Sequence, residues 1–196
     1  MIYFFIIISY LAGSIPFGFI IAKLYKGIDI RQHGSGNTGA TNVFRVLGPM
    51  PGIIAFMFDF LKGYLPVLIA QVYFKDLNAV YLLVIGLAAI SGHIFTPFFG
   101  FKGGKGVATG AGVFFALLPT ITLLGALVFG LTFAISRYVS LSSLFAVIFI
   151  AVMVWVTGKP ISFSLFVTLT AILVIYAHRA NIKRLLNGTE NKFKRR

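Results

Sequence analysis

The chain is a succession of apolar runs of about 15 to 25 residues, near the length that crosses a hydrocarbon core of about 30 Å, parted by short segments that gather most of its charge. Backbone inside hydrocarbon must satisfy its own hydrogen bonds, so such runs fold as α-helices. Of the 196 residues, 59% are hydrophobic and 11% charged, with a mean hydropathy of +0.97; a soluble domain carries roughly 25% charged residues. The sequence therefore reads as an all-α integral membrane protein with a single polytopic domain over residues 1–196.

Seven spans are expected, near 2–24, 52–74, 79–97, 107–118, 120–135, 139–157 and 161–178. The stretch 107–135 is too long for one untilted crossing, and Pro119 near its middle divides it in two. The positive-inside rule favours this division over six spans. With the N-terminus outside, Lys23, Lys26, Arg31, Arg45, Lys102, Lys105, Arg137 and the tail from Arg179 to Arg196 all face the cytoplasm, leaving Lys75 and Lys159 outside. Met1 to Ala22 contains no Lys or Arg, so it lacks the basic start of a secretory signal and reads as a retained first span.

A formal charge of +13 rests on only four acids, Asp29, Asp59, Asp76 and Glu190. The bases are not interleaved with aromatics on a soluble face, so membrane topology and anionic substrates explain the surplus better than nucleic acid does. The absence of cysteine excludes disulfides, thiolate metal centres and thiol catalysis. His33, His93 and His178 lack the carboxylate set of a metal site, and no cofactor is implied.

Two segments invite an anion. His33 to Arg45 reads as a loop of glycines, small hydroxyls and amides closed by a guanidinium, and Gly100 to Thr109 repeats the recipe with Lys102 and Lys105. Gly34-Ser35-Gly36-Asn37-Thr38-Gly39 formally matches a dinucleotide fingerprint, but a membrane span precedes it and Asp59 lies inside the next span, so no βαβ unit exists. Gly104-Lys105 has the wrong spacing for a Walker motif, and Gly106 stands where Ser or Thr is required. The plain alternatives are a flexible connector and a basic topological loop. In the seven-span topology both segments come to the cytoplasmic boundary, together with Ser136 to Ser143 and His178 to Asn181, which suggests one site. Ser136, Ser140 and Ser143 share a face if a helix begins there; the alternative is back-bonding to helical carbonyls. Asp59 and Lys62 read either as an intramembrane functional acid or, more simply, as a self-neutralising pair.

Taken together, these residues resemble the bacterial acyl-phosphate:glycerol-3-phosphate acyltransferase family, the PlsY family. The likeness covers Gly34 to Asn37 with Gly39 to Asn42 and Arg45; Gly92-His93 through Phe98 with Gly103 to Thr109; and Arg137-Tyr138, Ser140, His178-Arg179, Asn181-Ile182 and Gly188 to Glu190. It implies seven spans with an external N-terminus in the bacterial inner membrane and a cytoplasmic active site. The implied partners are acyl phosphate, glycerol 3-phosphate and membrane lipids. The implied reaction moves an acyl group from acyl phosphate to the 1-hydroxyl of glycerol 3-phosphate, releasing lysophosphatidic acid and inorganic phosphate, with the second motif associated with glycerol 3-phosphate binding.

For such chemistry the residues divide into roles. Arg45 and Lys105, with Ser35, Ser143 and Asn181, are expected to hold the phosphates, and Asn37 and His178 to bind substrate beside them; Lys105, Ser35 and His178 form the expected catalytic set. The amides of Gly103, Gly104 and Gly106 are expected at the oxyanion. His178 is the candidate base, and the acyl phosphate oxygen is the alternative proton acceptor. A covalent acyl intermediate on Ser35 is a further chemical option. An organophosphate transporter or a lipid-binding scaffold would also want cations, but a transporter calls for midplane charges and a repeat, which the sequence does not show.

Overall fold

The computed structural model describes residues 1–74 and 78–193; Lys75, Asp76, Lys194, Arg195 and Arg196 lie outside these. The chain divides into two compact units, Met1–Leu117 and Leu118–Arg196.

The first unit holds α1 (Ile2–Ser14), α2 (Phe17–Lys26), α3 (Ala40–Leu47), α4 (Pro49–Tyr73), α5 (Ala79–Ile94) and α6 (Val107–Leu117), with short 3₁₀ turns at Ile30–Gln32 and Pro97–Phe99. Without a hydrophobic drive between helices in lipid, association depends on close backbone approach, and glycine supplies it. A Cβ on Gly13 would lie 2.1 Å from the carbonyl oxygen of Ala89, and one on Gly92 equally close to that of Tyr10. Ser9 Oγ donates to Ile85 O at 2.9 Å along the same seam, so α1 and α5 pack in parallel. Gly63 and Gly112 seat α4 on α6 in the same way, each Cβ position 2.1 Å from a facing carbonyl. The large apolar side chains, such as Phe4, Ile7, Phe56 and Ile69, point outward.

The second unit holds α7 (Pro119–Ser136), α8 (Val139–Val156), α9 (Ile161–Ala177) and α10 (Arg179–Leu186). Arg137, in the left-handed region at φ 60, turns α7 into α8, and Gly125 admits the Ile150 side chain between the antiparallel pair.

Helices lie within each of the seven apolar runs. The run 2–24 is not one rod: Pro16 has no amide proton and disfavours helix at Ile15, so α1 stops at Ser14 and α2 restarts at Phe17. At Pro119 the run is divided: Leu118, at φ −142 and ψ 59, is not helical, and Pro119 opens α7. Among the described residues, five segments are long and apolar enough to cross a membrane: Ile2–Lys26, Pro49–Tyr73, Ala79–Phe99, Pro119–Ser136 and Val139–Val156. Ile161–Ala177 joins Arg179–Leu186 through a 60° bend, and Val107–Leu117 is a shorter apolar helix of roughly 16 Å at 1.5 Å per residue.

Candidate active site

In the first unit, the glycine segment is less a loop than a stapled turn running into a helix. Asp29 caps the turn at Ile30–Gln32 by accepting from the Arg31 amide at 3.0 Å, and pairs with the Arg31 guanidinium at 2.6 Å. That partner holds the Asp29 carboxyl down at about 2, and the same guanidinium lies 4.3 Å from the Phe99 ring centre. Arg45 stands on α3, not in a loop as the sequence suggested, because Gly39 in extended conformation starts a helix at Ala40.

The organiser is Asn42, a residue given no role by sequence reasoning. Buried at 2% exposure, it accepts from the Ser35 amide at 2.8 Å and donates to the carbonyls of Ile30, His33 and Asn37 at 3.2, 2.9 and 2.9 Å. Gly34 and Gly36 adopt positive φ to make the turn, and a Cβ on Gly34 would meet Asn42 Oδ1 at 2.3 Å. Asn37 Oδ1 accepts from the Gly39 amide at 2.9 Å, so it shapes the turn. Ser35 and His33 are exposed on its outer side.

The lysine segment is built on His93. Gly103 N donates to Ile94 O at 2.9 Å and Gly104 N to His93 O at 3.0 Å. The expected oxyanion role of these two amides is therefore corrected: their protons are spent within the fold. Their lack of a side chain serves packing instead, since a Cβ on Gly103 would lie 2.1 Å from His93 O and one on Gly104 2.1 Å from His93 Nε2. The imidazole is fixed from its other side by Thr109 Oγ1 at 3.0 Å from Nδ1. Gly106, at φ 77, swings the chain into α6, so half-buried Lys105 is held one residue ahead of that turn. Asp59 and Lys62 of α4 form an ion pair at 2.5 Å beneath this region.

In the second unit, the third motif closes on Glu190. Its carboxylate accepts from Ser140 Oγ at 2.9 Å, Asn181 Nδ2 at 2.7 Å and Arg184 Nε at 2.7 Å. Burial alone would raise its pKa, but the three donors outweigh it and hold the carboxyl below its ordinary value. The following residues fold back, with the Phe193 amide donating to Arg137 O at 3.0 Å.

His178, 2% exposed, sits at the α9–α10 bend with Nδ1 2.8 Å from Val174 O. A carbonyl only accepts, so Nδ1 carries the proton and, in the neutral ring, Nε2 carries the lone pair. Asn181 is 4% exposed, and its Oδ1 has no hydrogen-bond partner among the described residues. Ser143 donates to Val139 O at 2.9 Å, the helical back-bond that was its plain alternative. Both side chains thus present acceptors, which match a substrate hydroxyl and not a phosphate oxygen. Ser136 ends α7 and accepts from the Tyr138 amide at 3.2 Å, so it does not share the face of Ser140 and Ser143.

The sequence and fold have solved and curated counterparts. The family model for glycerol-3-phosphate acyltransferase matches residues 3–188. A glycerol-3-phosphate acyltransferase of Aquifex aeolicus is 48% identical over 97% of this chain and 98% of its own length; that of Endomicrobium trichonymphae is also 48% identical, over 97% and 94%. The crystal structure of PlsY (YgiH), an integral membrane glycerol 3-phosphate acyltransferase, in its glycerol 3-phosphate form superposes with a TM-score of 0.92 at 47% identity, covering 98% of this chain and 96% of that one. Its lysophosphatidic acid form gives 0.90 at the same identity. The chain belongs to the glycerol-3-phosphate acyltransferase family, integral membrane acyltransferases of lipid biosynthesis.

Proposed function

We propose that this protein transfers a fatty acyl group from acyl phosphate to the 1-hydroxyl of glycerol 3-phosphate, forming lysophosphatidic acid and inorganic phosphate. The acceptor and the product each name a form in which PlsY has been solved. The donor is inferred from one observation on this chain. Every carboxylate among the described residues is already engaged: Asp29 by Arg31, Asp59 by Lys62, and Glu190 by Ser140, Asn181 and Arg184. None is left to orient a histidine toward Ser35, so a serine relay lacks its acid. A mixed anhydride brings its own activation and needs no covalent intermediate.

The work left to the protein is to gather two phosphate-bearing molecules and offset the charge that develops. In this reading Ser35, Asn37, Arg45 and Lys105 hold phosphate oxygens, with Gly103, Gly104 and Gly106 shaping the turn that presents Lys105. Ser143 and Asn181 accept from glycerol hydroxyls. The 1-hydroxyl oxygen attacks the acyl carbon, the bond from that carbon to the phosphate oxygen breaks, and phosphate leaves with the electron pair. The hydroxyl proton goes either to His178 or to an oxygen of the donor phosphate, and His178→Ala separates the two routes.

Seven crossings of a bacterial inner membrane, with the N-terminus outside and the site at the cytoplasmic face, complete the reading; the side of the positive residues supports it. A reporter fused after Arg196 is expected to read as cytoplasmic. The functional test supplies purified protein and glycerol 3-phosphate with acyl phosphate, acyl-CoA or acyl carrier protein as donor. Only acyl phosphate is expected to give lysophosphatidic acid with one phosphate per turnover. Turnover with acyl-CoA and none with acyl phosphate would overturn the assignment.

A further inference from the structure

The Asp59–Lys62 pair plays no part in this chemistry, yet both substrate segments of the first unit are hung from its surroundings. The break at Pro16 takes the carbonyls of Ser14 and Ile15 out of regular helix. Lys62 Nζ donates to Ile15 O at 2.8 Å, and Thr96 Oγ1 to Ser14 O at 2.9 Å. Asp59 Oδ1 takes a second Lys62 proton at 2.5 Å, and the Phe17 ring lies 5.6 Å from the ammonium. A cavity of about 10 Å³, the size of one water, lies among Asp59, Lys62, His93, Thr96 and Thr38.

From this knot two supports run outward. Beyond the bend, α2 meets the glycine segment so closely that a Cβ on Gly18 would lie 1.9 Å from Thr38 O; the angle at Pro16 therefore sets where the Gly34–Gly39 backbone rests. On the other side Asp59 Oδ1 lies 3.7 Å from His93 Nδ1, and His93 carries Gly103 and Gly104 on its carbonyl and ring.

We infer that Asp59, Lys62 and Thr96 are positioning residues, fixing the α1–α2 bend and His93 so that the glycine and lysine segments keep the geometry that binds substrate. The inference rests on the proposed function, in which those segments hold the phosphates. It differs from simple mutual neutralisation, under which removing both charges together leaves nothing to lose.

The test compares Asp59→Asn/Lys62→Met with the unmutated protein by glycerol 3-phosphate calorimetry, turnover and thermal unfolding. The double variant is expected to unfold within a few degrees of the unmutated protein, while its Kd for glycerol 3-phosphate rises about tenfold, the factor set by one charge-assisted hydrogen bond. A Kd within about twofold of the original would overturn the inference and leave neutralisation as the pair's role. Should the double variant not fold, Thr96→Val decides: the inference expects a Kd about threefold weaker at an unchanged unfolding midpoint, and an unchanged Kd overturns it. The calorimetric readout needs no donor, so failure of the acyl phosphate assignment stays distinguishable from failure of the positioning role.

Discussion

Gly104→Ala turns the central geometric claim into a number. The new methyl carbon would begin 2.1 Å from His93 Nε2, against an ordinary van der Waals separation of about 3.5–4.0 Å, so either the ring or the loop must move by more than about 1 Å. The ring is held, being buried and bonded to Thr109 at 3.0 Å. The loop therefore yields, carrying the adjacent Lys105 with it. Overpacking of this kind costs about 1–3 kcal/mol of stability, and a displacement of about 1 Å at a substrate contact costs on the order of 100-fold in rate. Phosphate release from acyl phosphate is expected to show kcat/KM down about 100-fold, while the variant remains folded by thermal unfolding in detergent. Gly130→Ala is the control, since nothing lies within 4 Å of its Cβ position; its activity is expected to stay unchanged. If Gly104→Ala retained kcat/KM within about twofold, the account of the lysine segment as a rigid support would be refuted.

Other consequences are equally direct. Asn42→Ala removes four hydrogen bonds around the glycine segment and is expected to cost roughly 2–4 kcal/mol, with hydrogen exchange at the Ser35 amide accelerated; an unchanged exchange rate there would count against the staple. Glu190, its pKa held down in the fold, stabilises the tail above its ordinary value of 4.5, and that contribution is lost as pH falls through the lower folded value. The protection factor of the Phe193 amide against hydrogen exchange is therefore expected to fall on acidification below pH 4.5, and Glu190→Gln to lack that step. Asn181→Asp sets a second carboxylate against Glu190, 2.7 Å from the present amide nitrogen; glycerol 3-phosphate KM is expected to rise at least about tenfold. Rapid quench and mass spectrometry are expected to find no acyl adduct on Ser35, and an adduct would move the reaction to a covalent course.

What was legible in the sequence follows from the solvent. Hydrocarbon forces each apolar run to satisfy its own backbone, so the runs 79–97, 107–118 and 139–157 contain the helices Ala79–Ile94, Val107–Leu117 and Val139–Val156. Pro119 was readable as a break because it divides a run too long for one crossing. Pro16 does the same thing inside a run of ordinary length, where hydropathy carries no sign of it. The polar segments were visible as clusters, but their internal partners were not. Nothing in Gly103-Gly104 tells whether amides face a ligand or the carbonyls of Ile94 and His93, because that depends on the chain folding back onto the end of α5. Asn42 and Glu190 each gather several partners from different turns, and a residue's spacing along the chain does not reveal such convergence. Arg45 reads as the end of a loop of glycines and small polar residues, whereas Gly39 caps a helix that begins at Ala40 and carries it.

The most direct test of the phosphate-holding claim is the rate of phosphate release by Lys105→Ala with acyl phosphate and saturating glycerol 3-phosphate. Removing one preorganised charge contact to a reacting phosphate predicts a fall of about 100- to 1,000-fold with folding intact. Release at the unmutated rate would contradict the account.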